Sequence, residues 1–292
     1  MTKWTTNDIP DQTGRTFVVT GANSGLGLET TRALAARGAH VIMAVRDPAK
    51  GNAAREGVTG GELDVRRLDL ADLDSVREFA GTVEKADVLV NNAGIMMPPL
   101  RRTRQGFELQ FGTNHLGHFA LTGLLLDRLS DRVVTVTSAL HRRGSIAFDD
   151  LAADRSYSPT GHYAQSKFAN VLFALELDRR LRAAGSPVRS LLAHPGYAAT
   201  NLQSSGPTGL LKLMAKPGNL LLAQSAAHGA VPQLYAATAP DAESGGFYGP
   251  DGFQESRGRH PKAVRPVRSA TDPETARRLW EVSEGLTGVR YP

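Results

Sequence analysis

The chain has 292 residues and a formal net charge of +5, and 41% of its residues are hydrophobic and 22% charged. This composition is typical of a globular protein, and the length suits one large α/β domain or two small ones. Cysteine is absent, which excludes disulfide and thiolate chemistry. The polar start lacks a signal-peptide core, and no apolar run nears the ~18 residues of a spanning helix. We therefore expect a cytoplasmic protein without a transmembrane segment.

The basic residues are scattered along the chain in small groups, such as Arg101–Arg102 and Arg142–Arg143. A nucleic-acid-binding domain usually gathers such charge on one element beside exposed aromatic residues. We therefore expect no nucleic-acid partner. The modest basic excess instead suits an anionic cofactor, which is attracted by local positive charge.

Short apolar runs alternate with longer stretches of helical periodicity along most of the chain. The predicted strands are Thr16–Thr20, His40–Ala44, Asp64–Leu68, Asp87–Asn91, Arg132–Thr137 and Pro187–Ala193. The predicted helices cover residues 25–37, 47–57, 72–84, 105–130 and 161–184. Because parallel crossovers are right-handed, this repeated βα unit predicts an α/β Rossmann fold with a doubly wound parallel sheet flanked by helices.

The composition changes after residue 194. Gly, Pro, Ser and Thr are frequent there, with apolar residues between them, which predicts a mobile substrate flap near 195–222. A helix near 223–238, a strand at Gly245–Tyr248 and a last helix at Asp272–Glu284 follow, but no second full core. We therefore predict a single domain over 1–292, with a core at about 14–250 and a C-terminal extension at 251–292.

A glycine-rich loop, Thr20–Gly27, separates the first predicted strand from the first helix. Glycines there allow a tight turn and let the backbone approach a pyrophosphate at the positive end of the helix dipole. A plain βα turn would need one such glycine, whereas this loop has three: Gly21, Gly25 and Gly27. The loop therefore predicts a dinucleotide site.

The end of the second predicted strand indicates which dinucleotide binds. NAD sites usually place an acid there for the ribose hydroxyls, while an arginine accommodates the 2′-phosphate of NADP. Here Val45 stands at the acid position and Arg46 follows it. A guanidinium grips phosphate with two hydrogen bonds, so we favour NADP over NAD. In the alternative, Arg46 is merely solvated; in either case Asp47 suits the start of the next helix, ahead of Pro48.

Two further features bear on chemistry. Tyr163 and Lys167 are four residues apart in a predicted helix, so they share one face, and a nearby ammonium lowers the pKa of a phenol. Such a pair also arises by chance on solvated helices. His115 and His118 are three residues apart, but no acid at ligand spacing accompanies them, so we predict packing or interface contacts and no metal site.

The motifs TGANSGLG at 20–27, NNAG at 91–94, Asn114, Ser138 and Tyr163-x-x-x-Lys167 occur in this order. With them, the chain resembles the short-chain dehydrogenase/reductase family over about residues 14–250. Finer motifs, including RDPAKG, NHLGHF, SALHRRG, FDDL and YAQSKFANVLFALEL, resemble its retinol dehydrogenase-like branch. That branch includes the WW-domain oxidoreductases and, more distantly, protochlorophyllide reductase.

The resemblance implies a set of cofactor contacts, each at a position that matches a family motif. Tyr197 and Ala199 depart from the common pattern of the loop after the sixth strand. The nature of the substrate pocket therefore does not follow from the resemblance. The implied contacts are Gly21, Asn23, Ser24, Gly25, Leu26 and Gly27 in the glycine loop; Asp69 and Leu70; Asn91, Ala93 and Gly94; Pro195, Gly196, Ala198 and Thr200; and Tyr163 and Lys167.

The resemblance also implies a catalytic tetrad of Asn114, Ser138, Tyr163 and Lys167. Tyr163 would exchange a proton with the substrate oxygen, and Lys167 would lower its pKa and bind the nicotinamide ribose. Ser138 would donate to the developing alkoxide, and Asn114 would hold a water that links Lys167 to solvent. Taken singly, Ser138 could simply end a strand and Asn114 could be a satisfied polar group inside a helix.

The resulting prediction is an NADP-dependent oxidoreductase for a hydrophobic alcohol or carbonyl of the retinoid-, lipid- or steroid-like kind. The alternative is a catalytically silent dinucleotide-sensing or scaffold protein; a sugar-nucleotide epimerase would usually carry a larger second domain. Helices 105–130 and 161–184 have wide apolar faces, and in the family these commonly pair subunits. We therefore expect a homodimer or homotetramer, unless these faces bury only against their own sheet.

Overall fold

A single eight-stranded sheet forms the centre of the protein in a computed structural model that describes residues 3–196 and 225–291. The strand order is β3-β2-β1-β4-β5-β6-β7-β8; all neighbours are parallel except β7 and β8. The predicted Rossmann fold is therefore confirmed. The strands are β1 Thr16–Thr20, β2 His40–Val45, β3 Glu62–Arg67, β4 Ala86–Asn91, β5 Leu129–Val136, β6 Arg189–Ala193, β7 Phe247–Pro250 and β8 Pro261–Ala263.

Helices cover both faces of this sheet. Several begin at an aspartate cap; Asp47, for example, accepts hydrogen bonds from the Ala49 and Lys50 amides, as its place ahead of Pro48 predicts. No helix within residues 3–196 and 225–291 is both long and apolar enough to cross a membrane. The helices are α1 Gly25–Ala35, α2 Pro48–Arg55, α3 Leu73–Gly81, α4 Leu109–Phe111, α5 Gly117–Leu125, α6 Pro159–Ala183, α7 Ala226–Thr238 and α8 Pro273–Thr287.

Alternate residues of each central strand feed two separate cores. Phe17 and Val19 of β1 pack on one face with Leu34 of α1 and Leu234 of α7. Val18 points to the other face, into a core that also contains residues of α3, α5, α6 and α8. Because the strand is buried on both faces, it reads in the sequence as one continuous apolar run. The strand order reverses between β1 and β4, which opens a crevice at their carboxyl ends.

The predicted helix over 105–130 is wrong as a continuous element. The region consists of α4, a π-helical turn at Gly112–Leu116, α5 and a 3-10 turn at Leu126–Arg128, after which β5 begins. Gly112 is closely packed: a Cβ there would lie 2.3 Å from Cγ2 of Thr103. Asn114 stands in the middle of the π turn, and such turns are frequent at functional sites.

The last helix, α8, covers the two helices that were expected to pair subunits. The Trp280 ring of α8 lies 5.2 Å from Phe119 of α5 and 5.7 Å from Phe173 of α6, between ring centroids. Beyond α8, the Tyr291 hydroxyl donates to the Phe119 carbonyl at 2.7 Å. Every residue of α6 from Tyr163 to Ala174 is buried. These apolar faces are therefore buried within the chain, by the sheet and by α8.

Candidate active site

The predicted site residues follow neighbouring strands at one edge of the sheet. The glycine loop follows β1, Asn91–Gly94 ends and follows β4, Ser138 follows β5, and Pro195–Gly196 follows β6. Since β1, β4, β5 and β6 are consecutive in the sheet, the fold brings these segments together at their carboxyl ends. Ligands of open α/β sheets bind in this crevice.

The glycine loop has a geometry that only glycine permits at its key position. A Cβ at Gly27 would lie 2.3 Å from the Gly21 carbonyl oxygen and 2.7 Å from Nδ2 of Asn92. Gly21 and Gly25 have φ angles of 68° and 53°, which side-chain-bearing residues rarely adopt. Ser24 precedes α1 with its side chain not used as a cap. The loop thus places bare backbone at a helix N-terminus, which fits a dinucleotide pyrophosphate.

A pair of side chains that the sequence analysis missed joins the ends of β1 and β4. The Thr20 hydroxyl accepts hydrogen bonds from the Asn92 and Ala93 amides, both at 2.9 Å. In return, Asn92 Nδ2 donates to the Thr20 carbonyl at 2.8 Å. Both residues belong to motifs identified in the sequence, and that membership was the feature from which their role could have been predicted. Asn91, in contrast, faces α5, where its Nδ2 donates to the Thr122 hydroxyl at 2.9 Å.

Gly94 stands between two members of the predicted tetrad. A Cβ at this position would lie 3.2 Å from Oδ1 of Asn114 and 3.4 Å from Nζ of Lys167. Because Gly94 has no side chain, it does not fill the space next to the Lys167 amine. A nucleotide ribose or nicotinamide that reached the amine would need this space, and the cofactor role of Gly94 stays a prediction.

Asn114 braces the segment after β4 against α6. Its Oδ1 accepts from the Ile95 amide at 2.8 Å, and its Nδ2 donates to the Ile95 carbonyl at 3.0 Å and to the Ser166 hydroxyl at 2.9 Å. Both hydrogens of the amide are therefore used inside the protein. These contacts also agree with the alternative that Asn114 is a satisfied polar group, now with a bracing function at the site.

Lys167 is held by the end of β5. Its Nζ donates to the Val136 carbonyl at 3.2 Å, and its own carbonyl accepts from the Thr137 hydroxyl at 2.7 Å. The residue is only 4% exposed. Burial disfavours the charged ammonium and lowers the pKa of Lys167 to about 8. The amine therefore titrates near neutral pH.

Tyr163 lies beside Lys167, but its pKa moves opposite to the expectation. The Lys167 Nζ atom is 5.9 Å from the centroid of the Tyr163 ring, and the tyrosine is only 6% exposed. Burial raises the pKa of Tyr163 to about 12, and a hydrogen bond with the Ser138 side chain opposes this shift. The expected lowering of the Tyr163 pKa by Lys167 is not found in this structure: desolvation of the phenolate is the largest influence, and Ser138 is what opposes it. Tyr163 is a neutral phenol at pH 7.

Ser138 lies two residues after the end of β5 and caps the 3-10 turn Ala139–Arg143. Its hydroxyl oxygen accepts from the Leu140 amide at 3.3 Å, which leaves the hydroxyl hydrogen free to donate elsewhere. The Ser138 side chain is also close enough to Tyr163 to oppose the rise in the pKa of that phenol. Strand-end capping and oxyanion donation are thus compatible in one residue.

The remaining predicted cofactor residues lie on the β3–β2 side or after β6. Arg46 is exposed at the end of β2, and Asp69 after β3 accepts from the Ala71 amide at 3.0 Å, next to buried Leu70. Gly196 has a φ of 65°. Ala198 and Thr200 lie outside the described residues, as does the predicted flap beyond Gly196.

His118 is a buried residue whose supporting role the sequence analysis missed. Its Nε2 lies 2.9 Å from the Thr20 hydroxyl and its Nδ1 lies 3.0 Å from the Asn114 carbonyl. Burial lowers its pKa to about 4, so the ring is neutral at pH 7. His115 instead contacts the Ser283 hydroxyl of α8 at 2.8 Å. Within residues 3–196 and 225–291, no three histidine or acidic side chains form a metal-binding group.

Comparisons with known proteins agree with this geometry. The short chain dehydrogenase family matches residues 15–209. Human retinol dehydrogenase 13 is 42% identical over 296 residues, covering 96% of this chain and 86% of its own length, and human retinol dehydrogenase 14 is 41% identical, covering 94% and 87%. The crystal structure of an uncharacterized protein from Mycobacterium paratuberculosis is 51% identical, with full coverage of both chains and a TM-score of 0.87. The chain belongs to the short-chain dehydrogenases, in the retinol dehydrogenase-like branch, and is an NAD(P)-dependent oxidoreductase that acts on CH–OH and C=O groups.

Proposed function

We propose that the protein is an NADP-dependent oxidoreductase that interconverts a hydrophobic alcohol and its carbonyl, with Tyr163 as the proton-transferring group. The observation that carries this proposal is the placement of Tyr163 beside both Ser138 and Lys167, with the space at Gly94 next to the amine. The nicotinamide supplies or accepts the hydride when it is bound. The chain's own task is then to hold the partners and move one proton at the substrate oxygen.

The protonated state of Tyr163 at neutral pH suits the proton donation that reduction of a carbonyl requires. Since burial raises its pKa to about 12, the phenol carries its proton and can donate it to a carbonyl oxygen. Ser138 donates a hydrogen bond to the same oxygen as negative charge develops there. Lys167, still largely protonated at pH 7, stabilises the phenolate that remains.

The preference for NADP rests on Arg46. It is exposed at the carboxyl end of β2, directly after buried Val45, and Asp47 is already used as the cap of α2. An exposed guanidinium at this place can bind a 2′-phosphate. The position where NAD sites usually carry an acid for the ribose hydroxyls is occupied by Val45. The glycine loop, Gly94 and Pro195–Gly196 would supply further cofactor contacts.

A hydrophobic substrate is supported by the segment that follows Gly94. Residues 95–98 have the sequence Ile-Met-Met-Pro and are partly buried directly after Gly94. The Met97 sulfur lies 3.6 Å from the Thr160 hydroxyl, and Thr160 is three residues before Tyr163 on α6. Apolar walls with few polar anchors suit such ligands. The similarity to retinol dehydrogenases points to the same class of substrate.

We further infer that a homodimer or homotetramer of this chain would use a surface other than α5 and α6. The family's common pairing needs apolar faces on these helices, but Trp280 and Tyr291 cover them here. Sedimentation velocity of the parent and of Trp280→Ala tests this inference. A parent that dimerises through α5 and α6, shown by crosslinks between these helices, would contradict it. The cytoplasmic location stays a prediction.

The test of the proposed chemistry is Tyr163→Phe, assayed with a panel of hydrophobic aldehydes and ketones by the loss of NADPH absorbance. We expect a fall in kcat of at least about 100-fold with nearly unchanged NADPH affinity, because only the proton donor is removed. Tyr235→Phe serves as the matched control, because Tyr235 lies on α7 against Trp4, away from Tyr163. Full activity in Tyr163→Phe would overturn the mechanism. NADPH binding by the parent without turnover of any substrate would favour the silent dinucleotide sensor.

A further inference from the structure

A cluster around one carboxylate joins the turn after Ser138 to the segment after β6; its histidine is buried, its glutamate partly buried and its arginine exposed. It consists of Glu255, His194 and Arg142. Glu255 Oε2 lies 3.0 Å from His194 Nε2 and 2.6 Å from the Arg142 guanidinium. Arg142 belongs to the 3-10 turn that starts at Ser138, and His194 is the first residue after β6. A single carboxylate of the C-terminal extension therefore contacts two different parts of the active site.

The His194 ring is fixed on every side. Its side chain is fully buried, and its Nδ1 accepts from the Gly196 amide at 3.2 Å, which assigns the ring hydrogen to Nε2 and makes Nε2 the donor to Glu255. A Cβ at Gly249 would lie 2.3 Å from this same Nε2, so the ring packs directly on the backbone of β7. The orientation of Gly196 is thus tied, through one imidazole, to Glu255.

The extension also holds the Ser138 turn at a second point. His141 Nδ1 lies 2.7 Å from the Ser138 carbonyl, and its Nε2 accepts from the Val267 amide at 3.4 Å. This pattern assigns the ring hydrogen to Nδ1, which donates to Ser138. Residues 255 and 267 therefore fix the turn from outside, while Ser138 faces Tyr163 inside the crevice.

The backbone of Glu255 has an unusual conformation. Gln254 and Glu255 have φ angles of 49° and 57°, a region that residues other than glycine rarely adopt and keep only where their surroundings hold them. The Glu255 carbonyl also contacts the Gly196 turn: a Cβ at Gly196 would lie 2.9 Å from that oxygen. Strained residues that touch a site are often part of how the site is arranged.

We propose that Glu255 is a positioning residue of the active site, which sets the Ser138 turn and the Pro195–Gly196 turn in register with each other. It acts through Arg142 on the proton-transferring side and through His194 on the side expected to hold the nicotinamide. The hydrogen bond with His194 lowers the pKa of Glu255 to about 2, so the bridge carries its negative charge throughout the working pH range. The part of this inference that is tested by kcat rests on the proposed function. The part that is tested by the Kd of the nucleotide does not.

The test is a double-mutant cycle with Glu255→Ala, Arg142→Ala and the combined variant. Two quantities are measured: the Kd of NADPH or NADH, whichever the parent binds more tightly, and kcat of reduction. We expect Glu255→Ala to raise the Kd and lower kcat by about tenfold each, the loss of a charge-assisted hydrogen bond. The combined variant should be no worse in kcat than Glu255→Ala alone, because both single changes break the same contact.

Glu255→Gln keeps the shape of the side chain and one acceptor oxygen, so it should recover most of kcat. Its thermal unfolding is measured beside that of Glu274→Ala, a control for an exposed glutamate of α8. A kcat and a Kd within twofold of the parent in Glu255→Ala would overturn the proposal. Independent, multiplying losses in the combined variant would also overturn it. A parent that binds nucleotide but reduces nothing would contradict the proposed function alone, since the Kd cycle still measures the bridge.

Discussion

The two halves of the crevice are built in different ways. The half formed by β1 and α1 relies on missing side chains: Gly21 and Gly27 approach each other so closely that no Cβ fits. The half around Tyr163 and Lys167 relies on buried side chains that hydrogen-bond across long sequence separations, as Asn114 does with Ile95 and Ser166. Backbone geometry alone suffices to bind a phosphate, whereas moving a proton requires groups whose protonation is set by their surroundings.

The largest effect should come from Gly27→Ala, which tests the backbone half. The added Cβ would lie 2.3 Å from a backbone oxygen of the loop, so the loop must move away from its present position. We expect NADPH affinity to fall by more than about 100-fold, since several amide contacts to the pyrophosphate depend on this loop. Fluorescence titration measures the Kd, and Gly81→Ala, where no atom lies within 4 Å of the new Cβ, is the control. An unchanged affinity for NADPH in Gly27→Ala would contradict the view that this half of the crevice depends on the absence of a side chain.

A smaller effect is expected at Arg46, whose side chain lies on the same half but acts by charge. Arg46→Leu should raise the Kd of NADPH by about tenfold while leaving that of NADH nearly unchanged, since only NADPH carries the 2′-phosphate. Titrations with both nucleotides measure the ratio, and Arg143→Leu, an exposed arginine away from β2, is the control. Equal changes for the two nucleotides would contradict the assignment of Arg46 to the phosphate.

The smallest effect should be the pH dependence of the catalytic half. Lys167, with a pKa lowered to about 8, loses its charge as the pH rises through that value, while Tyr163, with a pKa raised to about 12, keeps its proton. We therefore expect kcat/KM of reduction to be level below pH 7 and to fall by up to about tenfold between pH 7 and 9. The fall should be absent in Lys167→Arg, whose charge persists. A level profile to pH 10 in the parent would show that the ammonium is not needed.

The sequence predicted the backbone half better than the catalytic half. The first strand, Thr16–Thr20, has the predicted bounds because a continuous run of β-branched and apolar residues ends at a glycine. The helix over 105–130 was wrong because its apolar pattern runs through Gly112, and periodicity does not distinguish a π turn from an α-helix. The three-residue strand β8 was missed because it contains exposed Lys262 and pairs only at the sheet edge.

The chemistry of the site was predictable only where it is local. The spacing of Tyr163 and Lys167 correctly placed them on one buried helix, but spacing carries no information about burial, and burial decides the pKa of both. The bridge at Glu255 spans 113 positions to Arg142 and 61 to His194, so no local motif marks it. That the motif residues contact the cofactor stays a prediction, although the fold gathers most of them at the carboxyl ends of the strands.

The cover that α8 gives to α6 has a consequence for biosynthesis. The Arg180 guanidinium lies 4.3 Å from the Trp280 ring centroid, and Tyr291 contacts the same aromatic group. Ribosomes emit Tyr163 and Lys167 more than a hundred residues before these partners. A nascent chain can therefore complete strands β1 to β8 before α8 is synthesised, yet the aromatic cover of α6 at Phe173 and Arg180 forms only once Trp280 and Tyr291 have left the ribosome. The helix that carries Tyr163 and Lys167 thus completes its packing later than the sheet beneath it.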